Sequence, residues 1–120
     1  MKKILIIDDE IDFLRTLSKY LTRKGFEVTI CSSGRKGLNC AKKESYDLVL
    51  TDIKMPGMDG VEAIKQIERV RRKAQFIITS GYSITEDVAS IIKQDKRVHG
   101  DLYKPFDLNE LMNRIKDILG

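Results

Sequence analysis

This chain has little of what would mark several protein classes at once. Its 120 residues include two cysteines, two prolines, one histidine and no tryptophan. Cys31 and Cys40, in a chain with no signal-like leader, fit a reducing cytoplasm better than a disulfide framework. Their spacing to the lone His99 suggests no zinc site, so both read as core or surface thiols. No apolar run exceeds about five residues, far short of the roughly 20 that a membrane-spanning helix needs, so a soluble protein is expected. Neither charge sign dominates: 22 Lys and Arg face 18 Asp and Glu, for a net charge of +4. The only basic clusters, RVRRK (69–73) and KQDKR (93–97), read as solvated helix ends, which argues against direct nucleic-acid binding.

What is present is enough for one compact domain. With 42% apolar residues the chain can bury a real core, and residues 1–120 are expected to form a single domain without room for a second. Five short β-branched runs follow one another: ILII (4–7), FEVTI (26–30), DLVL (47–50), FIIT (76–79) and a weaker DLY (101–103). Helical patterns separate them. Ile11, Leu14, Leu17 and Leu21 share one helix face, as do Val61, Ile64 and Ile67; Leu108, Leu111, Met112, Ile115 and Ile118 make the clearest stripe. Segments 34–43 and 85–94 are less regular, but their place in the alternation predicts helix. Asp59 with Glu62, Ser83 with Glu86 and Asp107 with Glu110 have capping-box spacing and predict three helix starts.

Strand–helix alternation implies a parallel sheet covered by helices on both faces, with right-handed crossovers. The predicted fold is α/β, a flavodoxin-like (βα)5 sandwich with strand order 2-1-3-4-5. In that order the chain reverses direction between strands 1 and 3, opening a crevice at their carboxyl ends. Asp8, Asp9 and Glu10 follow the first strand, Asp52 follows the third, Thr79 and Ser80 end the fourth, and Lys104 precedes Pro105 after the fifth. Acids, a hydroxyl and an amine thus converge.

Several carboxylates this close repel one another and would take up protons unless compensated. A cation resolves the conflict. Carboxylates with waters and a backbone carbonyl suit octahedral Mg²⁺, and Mn²⁺ would fit similarly. A metal ion plus a lysine is the apparatus that phosphoryl transfer asks for, and Asp52 could be the nucleophile that forms an acyl phosphate. The new negative charge would draw Lys104 and Ser80 inward and shift neighbouring loops.

These residues carry a resemblance. The acidic pair Asp8-Asp9, Asp52 in TDIKMPGMDG, Ser80-Gly81 and Lys104-Pro105-Phe106, in this order and spacing, resemble a response-regulator receiver domain of two-component signalling over essentially the whole chain. The resemblance implies that Asp52 is the phosphoacceptor, Asp9 a direct metal ligand, Asp8 a ligand through water and the Lys54 carbonyl a further ligand. It implies that Ser80 moves to the phosphoryl group, that Lys104 is the family lysine, and that the Lys104–Pro105 peptide is cis. The partners it implies are a sensor histidine kinase or a histidine phosphotransfer protein, and a downstream protein target or a fused output domain. Such a domain promotes its own phosphoryl transfer and dephosphorylation without separate substrate turnover. Two departures stand out: Asp101 occupies the position, three before the lysine, where receivers place an aromatic residue, and KRVHGDLYK lacks the usual Gly-Ala.

Blander readings explain some positions. Asp8 or Asp9 could serve a turn or helix cap, though hardly all three acids. Pro56-Gly57 fits a type II turn and Asp59 a cap, so MPGMDG reads as scaffold for Asp52. Ser80 is favoured over Thr79 because Gly81 follows it; His99 reads as a loop residue. A dehalogenase-type phosphatase would need Asp-x-Asp after the first strand, and a flavodoxin-like binder a phosphate loop that DDE would repel. The remaining alternative is a degenerate receiver acting as a phosphorylation-independent interaction module.

Overall fold

The computed structural model describes residues 1–120. Five strands alternate with five helices: β1 (Lys3–Ile7), α1 (Ile11–Arg23), β2 (Glu27–Cys31), α2 (Gly34–Lys43), β3 (Leu48–Asp52), α3 (Gly60–Val70), β4 (Gln75–Ser80), α4 (Glu86–Gln94), β5 (Val98–Tyr103) and α5 (Leu108–Leu119). All strand pairs are parallel and the sheet order is β2-β1-β3-β4-β5, as predicted.

Alternate residues of the central strands feed two separate cores. Ile4, Ile6, Leu48, Leu50 and Ile77 pack with Leu14, Leu17 and Leu21 of α1 and Leu111 and Ile115 of α5. Leu5, Ile7, Val49, Phe76 and Ile78 pack with α2, α3 and α4 through Leu38, Ile64, Ile67 and Val88. A strand buried on both faces has no polar side, which is why ILII and LVL are continuous apolar runs. Each fully buried Ile or Leu contributes about 2 kcal/mol. Ile11 differs from the expected inward stripe of α1: it lies in the first turn and is exposed.

Helix starts follow local chemistry. Asp59 Oδ1 accepts from the Glu62 N–H at 2.9 Å, and Asp107 Oδ1 from the Asn109 N–H at 2.6 Å. Glu62 does not complete a capping box; its carboxylate accepts from Gln66 Nε2 one turn on. The start of α4 differs from expectation: the cap is Thr85, whose Oγ1 accepts from the Val88 N–H, not Ser83. Ile84 packs against the core ahead of the helix, and the chain stays extended through Thr85. Gly57 has φ +76°, as the third residue of a type II turn requires.

The basic clusters do structural work at helix ends. Arg71 donates from Nε to the Ala41 carbonyl at 2.6 Å and from its guanidinium to the Lys42 carbonyl, covering the C-terminus of α2. Arg97 does the same for α3 through the carbonyls of Glu68, Arg71 and Arg72. Guanidinium at a helix C-terminus satisfies orphan carbonyls and opposes the dipole. These two arginines are hydrogen-bonded anchors rather than solvated ends.

Strand β5 is longer than its sequence signal. It begins at Val98, so His99 is a strand residue, hydrogen-bonded to Gln75, and not a loop residue. Val98 pairs with Phe76 and Asp101 with Ile78, so β5 carries one more residue than β4 there. This bulge, with Gly100 at φ +107°, takes up one extra residue of β5 ahead of Lys104. Arg114 of α5 donates to the His99 and Asp101 carbonyls across it.

Candidate functional site

The carboxyl ends of β1, β3, β4 and β5 meet where the sheet order reverses. Asp8 leaves β1 fully buried, and its backbone N–H donates to the Cys31 carbonyl of β2 at 3.1 Å. Asp8 Oδ1 accepts from the Glu10 N–H at 2.9 Å, closing a turn before α1. Its other oxygen meets Lys104 Nζ at 2.6 Å. Asp8 thus divides its oxygens between the turn with Glu10 and the ion pair with Lys104.

Asp52 closes β3, is 8% exposed and accepts from the Ile53 N–H at 2.8 Å. Lys104 Nζ lies 3.6 Å from Asp52 Oδ2 and 3.3 Å from Glu10 Oε1. Burial first, then the charge of Asp8, pushes the Asp52 carboxyl above its ordinary range, while Lys104 pulls the other way. For Lys104, burial alone would lower the pKa, but the hydrogen bond and charge of Asp8, with Asp52 and Glu10, outweigh it and the net shift is upward. The ammonium is also held 4.4 Å above the Phe13 ring, which meets Phe106 edge-on at 5.8 Å. The Lys104–Pro105 peptide is cis. Beside them a hollow of about 520 Å³ is lined by Glu10, Phe13, Lys104 and Phe106 among others.

The acids brought together are Asp8, Glu10 and Asp52, one oxygen of each lying within 4.8 Å of the others. Asp9 stands outside this trio, exposed at the rim, though its charge reaches Asp52 and also raises its pKa. Glu10 is the member that sequence reasoning undervalued. It sits at the N-cap of α1 but makes no side-chain cap bond, so its carboxylate is free to turn to Lys104. Glutamate is a poor N-cap residue, and that was the available signal.

Ser80 is buried at the end of β4. Its hydroxyl donates to the Tyr82 carbonyl at 2.7 Å and accepts from the Tyr82 N–H at 3.1 Å. The Lys104 backbone N–H donates to the Ser80 carbonyl at 2.7 Å, tying the two candidates together. Thr79, the rival hydroxyl, is the register partner of Asp52 and is also buried. Lys54 is exposed, its ammonium 4.9 Å from the Tyr82 ring, and no protein donor is bonded to its carbonyl. Three convergent carboxylates and an unbonded backbone carbonyl two residues after Asp52 are hard oxygen donors of the kind that suit Mg²⁺.

Residues 4–116 match the family model of the response regulator receiver domain. The chain belongs to this family. The receiver is 35% identical to a transcriptional regulatory protein CpxR homolog of Haemophilus influenzae, covering 99% of this chain and 51% of that protein. It spans about half the length of that relative. It is 30% identical to sporulation initiation phosphotransferase F of Bacillus subtilis, covering 98% of this chain and 94% of that one. Among solved structures it is similar to response regulator TrrA of Thermotoga maritima in complex with Mg²⁺ and BeF, with TM-score 0.85, 30% identity and coverage of 98% and 99% of the two chains. As a receiver it is a phosphorylation-activated switch of two-component signalling, and the departure at Asp101 leaves the acid trio and Lys104 intact. No helix is long and apolar enough to cross a membrane.

Proposed function

We propose that this single receiver domain accepts a phosphoryl group on Asp52 from a phosphohistidine of a sensor kinase or histidine phosphotransfer protein, in the cytoplasm. The observation that carries the reading is Lys104 Nζ set between Asp8 and Asp52, at 2.6 Å and 3.6 Å. An Asp52 oxygen attacks phosphorus, the new P–O bond forms as the P–N bond breaks, and the electron pair leaves with the imidazole. Mg²⁺, when bound, neutralises the phosphoryl oxygens and so makes transfer between two anions feasible. Asp52 would hold it directly, joined by Asp9 once its side chain turns in from the rim, with Asp8 acting through water and the Lys54 carbonyl completing the protein's share; Mn²⁺ suits the same donors.

On transfer, Lys104 exchanges part of its contact with Asp8 for a phosphoryl oxygen. Ser80 gives up its hydrogen bond to the Tyr82 carbonyl and donates to the phosphoryl group instead. The Gly81–Thr85 segment then loses the bond that holds its present turn, and the surface presented to a downstream protein or fused output domain changes. Autodephosphorylation reverses the state without a separate substrate.

The test is intact mass after incubation with acetyl phosphate, with and without Mg²⁺, for wild type and Asp52→Asn. A metal-dependent, hydroxylamine-labile adduct on wild type alone supports the reading. Equal labelling of Asp52→Asn rejects Asp52 as acceptor. No adduct from either acetyl phosphate or a phosphorylated histidine phosphotransfer protein, with Mg²⁺ bound, favours the interaction-only receiver.

A further inference from the structure

The phosphoryl chemistry uses neither cysteine, yet the fold sets them side by side. Cys31 ends β2 and Cys40 lies at the end of the second turn of α2, and their Sγ atoms are 3.3 Å apart. We propose that Cys31 and Cys40 form an oxidisable dithiol that a peroxide converts into an intramolecular disulfide. Nine positions separate them, and the pairing is made by packing α2 on the sheet, where Gly37 lies directly against Ile7. The sulfurs need to close by little more than an ångström to reach the bonding distance of about 2.05 Å.

Access is unequal, and this sets the order of events. A groove of about 530 Å³ between α1 and α2 is lined by Arg15, Lys36, Asn39 and both cysteines. Cys40 is partly exposed and Cys31 is 6% exposed, so peroxide meets Cys40 first. The Cys40 thiolate attacks the outer peroxide oxygen, the O–O bond breaks and the released hydroxide takes up a proton as water. Cys40, oxidised by two electrons, is then a sulfenic acid. Cys31 Sγ attacks Cys40 Sγ, the S–O bond breaks, the Cys31 proton leaves with the hydroxide as a second water, and the S–S bond forms. Two thiols and one hydrogen peroxide give one disulfide and two waters.

The bridge would pin α2 to the end of β2. The Cys31 carbonyl is the acceptor for the Asp8 N–H, so the cross-link fixes the strand end on which the buried acid rests. The dithiol itself does not depend on phosphorylation of Asp52.

Wild-type protein is exposed to equimolar hydrogen peroxide while folded, then denatured in N-ethylmaleimide, and intact mass and a non-reducing gel are read. The expected product is a monomer short of two hydrogens that takes no maleimide, reverts with dithiothreitol and yields a peptide joining Cys31 to Cys40. Full alkylation of both thiols, a disulfide-linked dimer, or Cys40 carrying oxygen while Cys31 is alkylated would each overturn the proposal. In Cys31→Ala, Cys40 is expected to gain oxygen instead. A reversible two-hydrogen loss persisting in that variant also overturns it, because Cys40 alone would then be its source.

Discussion

At the scale of single residues the site is an arrangement of one cation among acids. Asp8 is fully buried, and the 13% exposed Lys104 side chain is its partner at 2.6 Å. Breaking a buried pair by removing one member leaves an uncompensated charge, at a cost of 3–5 kcal/mol when burial is complete; partial exposure reduces that to about 2 kcal/mol here. Lys104→Met is therefore expected to lower stability by about 2 kcal/mol in denaturant titrations without metal, and saturating Mg²⁺ should recover much of the loss by supplying the charge. Because the Lys104 pKa is raised, this contribution is fully present below 10.5 and fades only as pH rises through the higher folded value. Equal midpoints for variant and wild type at neutral pH would show that the pair contributes nothing. Asp8, Asp52 and Lys104 were legible because each follows a strand that the alternation predicts. Whether Asp9 or Glu10 turns toward the lysine was not legible, since this depends on the backbone angle between β1 and α1 rather than on residue type.

Elements place these residues, and two contacts between elements decide how firmly. A Cβ on Gly60 would overlap the Asp52 backbone carbonyl, with the Ile53 Cα only 2.9 Å away, at the point where the Gly60 N–H donates to Ile53. Backbone cannot rotate aside, so Gly60→Ala must move α3 off β3, at a cost of about 2 kcal/mol, and displace Asp52. Slower labelling by acetyl phosphate together with a lowered melting temperature is the expected result; unaltered labelling and stability would mean that α3 yields freely. Further along α3, Glu68 faces Asp95 after α4, with Arg97 at 3.4 Å. Burial, then the hydrogen bond and charge of Asp95, raise the Glu68 carboxyl from 4.5 to about 7, while the Asp95 carboxyl is lowered by the same bond. The shared proton therefore sits on Glu68. The folded state holds this proton where the unfolded chain has lost it, so stability from this pair falls as pH rises from 4.5 to about 7. Glu68→Gln should melt higher than wild type above that window and show no gain below it; parallel melting curves across pH would dismiss the shared proton. Neither contact was readable from sequence. MPGMDG announced a turn and a cap, but Gly60's closeness to β3 and the Glu68–Asp95 encounter are products of helix packing.

For the whole molecule, strand order was legible because alternation, apolar runs buried on both faces and right-handed crossovers leave few other solutions. The β5 bulge was not, because its signal, HGD, is polar and edge strands tolerate such residues. The same topology that builds the crevice gathers charge there, and this links metal binding to pH. Asp52 keeps its proton to a higher pH in the folded chain than its ordinary 3.8, so its contribution to stability without metal is present at low pH and lost as pH rises through the folded value. Mg²⁺ takes the ionised carboxylates and its binding expels that proton. Its stabilising effect must therefore grow over the range in which the metal-free protein loses this contribution. At 100 times the dissociation constant, a ligand bound only by the folded state adds about 2.7 kcal/mol. The Mg²⁺-induced rise in melting temperature at a fixed, moderate concentration is expected to be larger at neutral pH than near the ordinary carboxylate value of 3.8, and the difference should shrink in Asp52→Asn. A rise in wild type that is undiminished as pH is lowered to 3.8 would place the cation on groups that are already ionised there, and so away from Asp52.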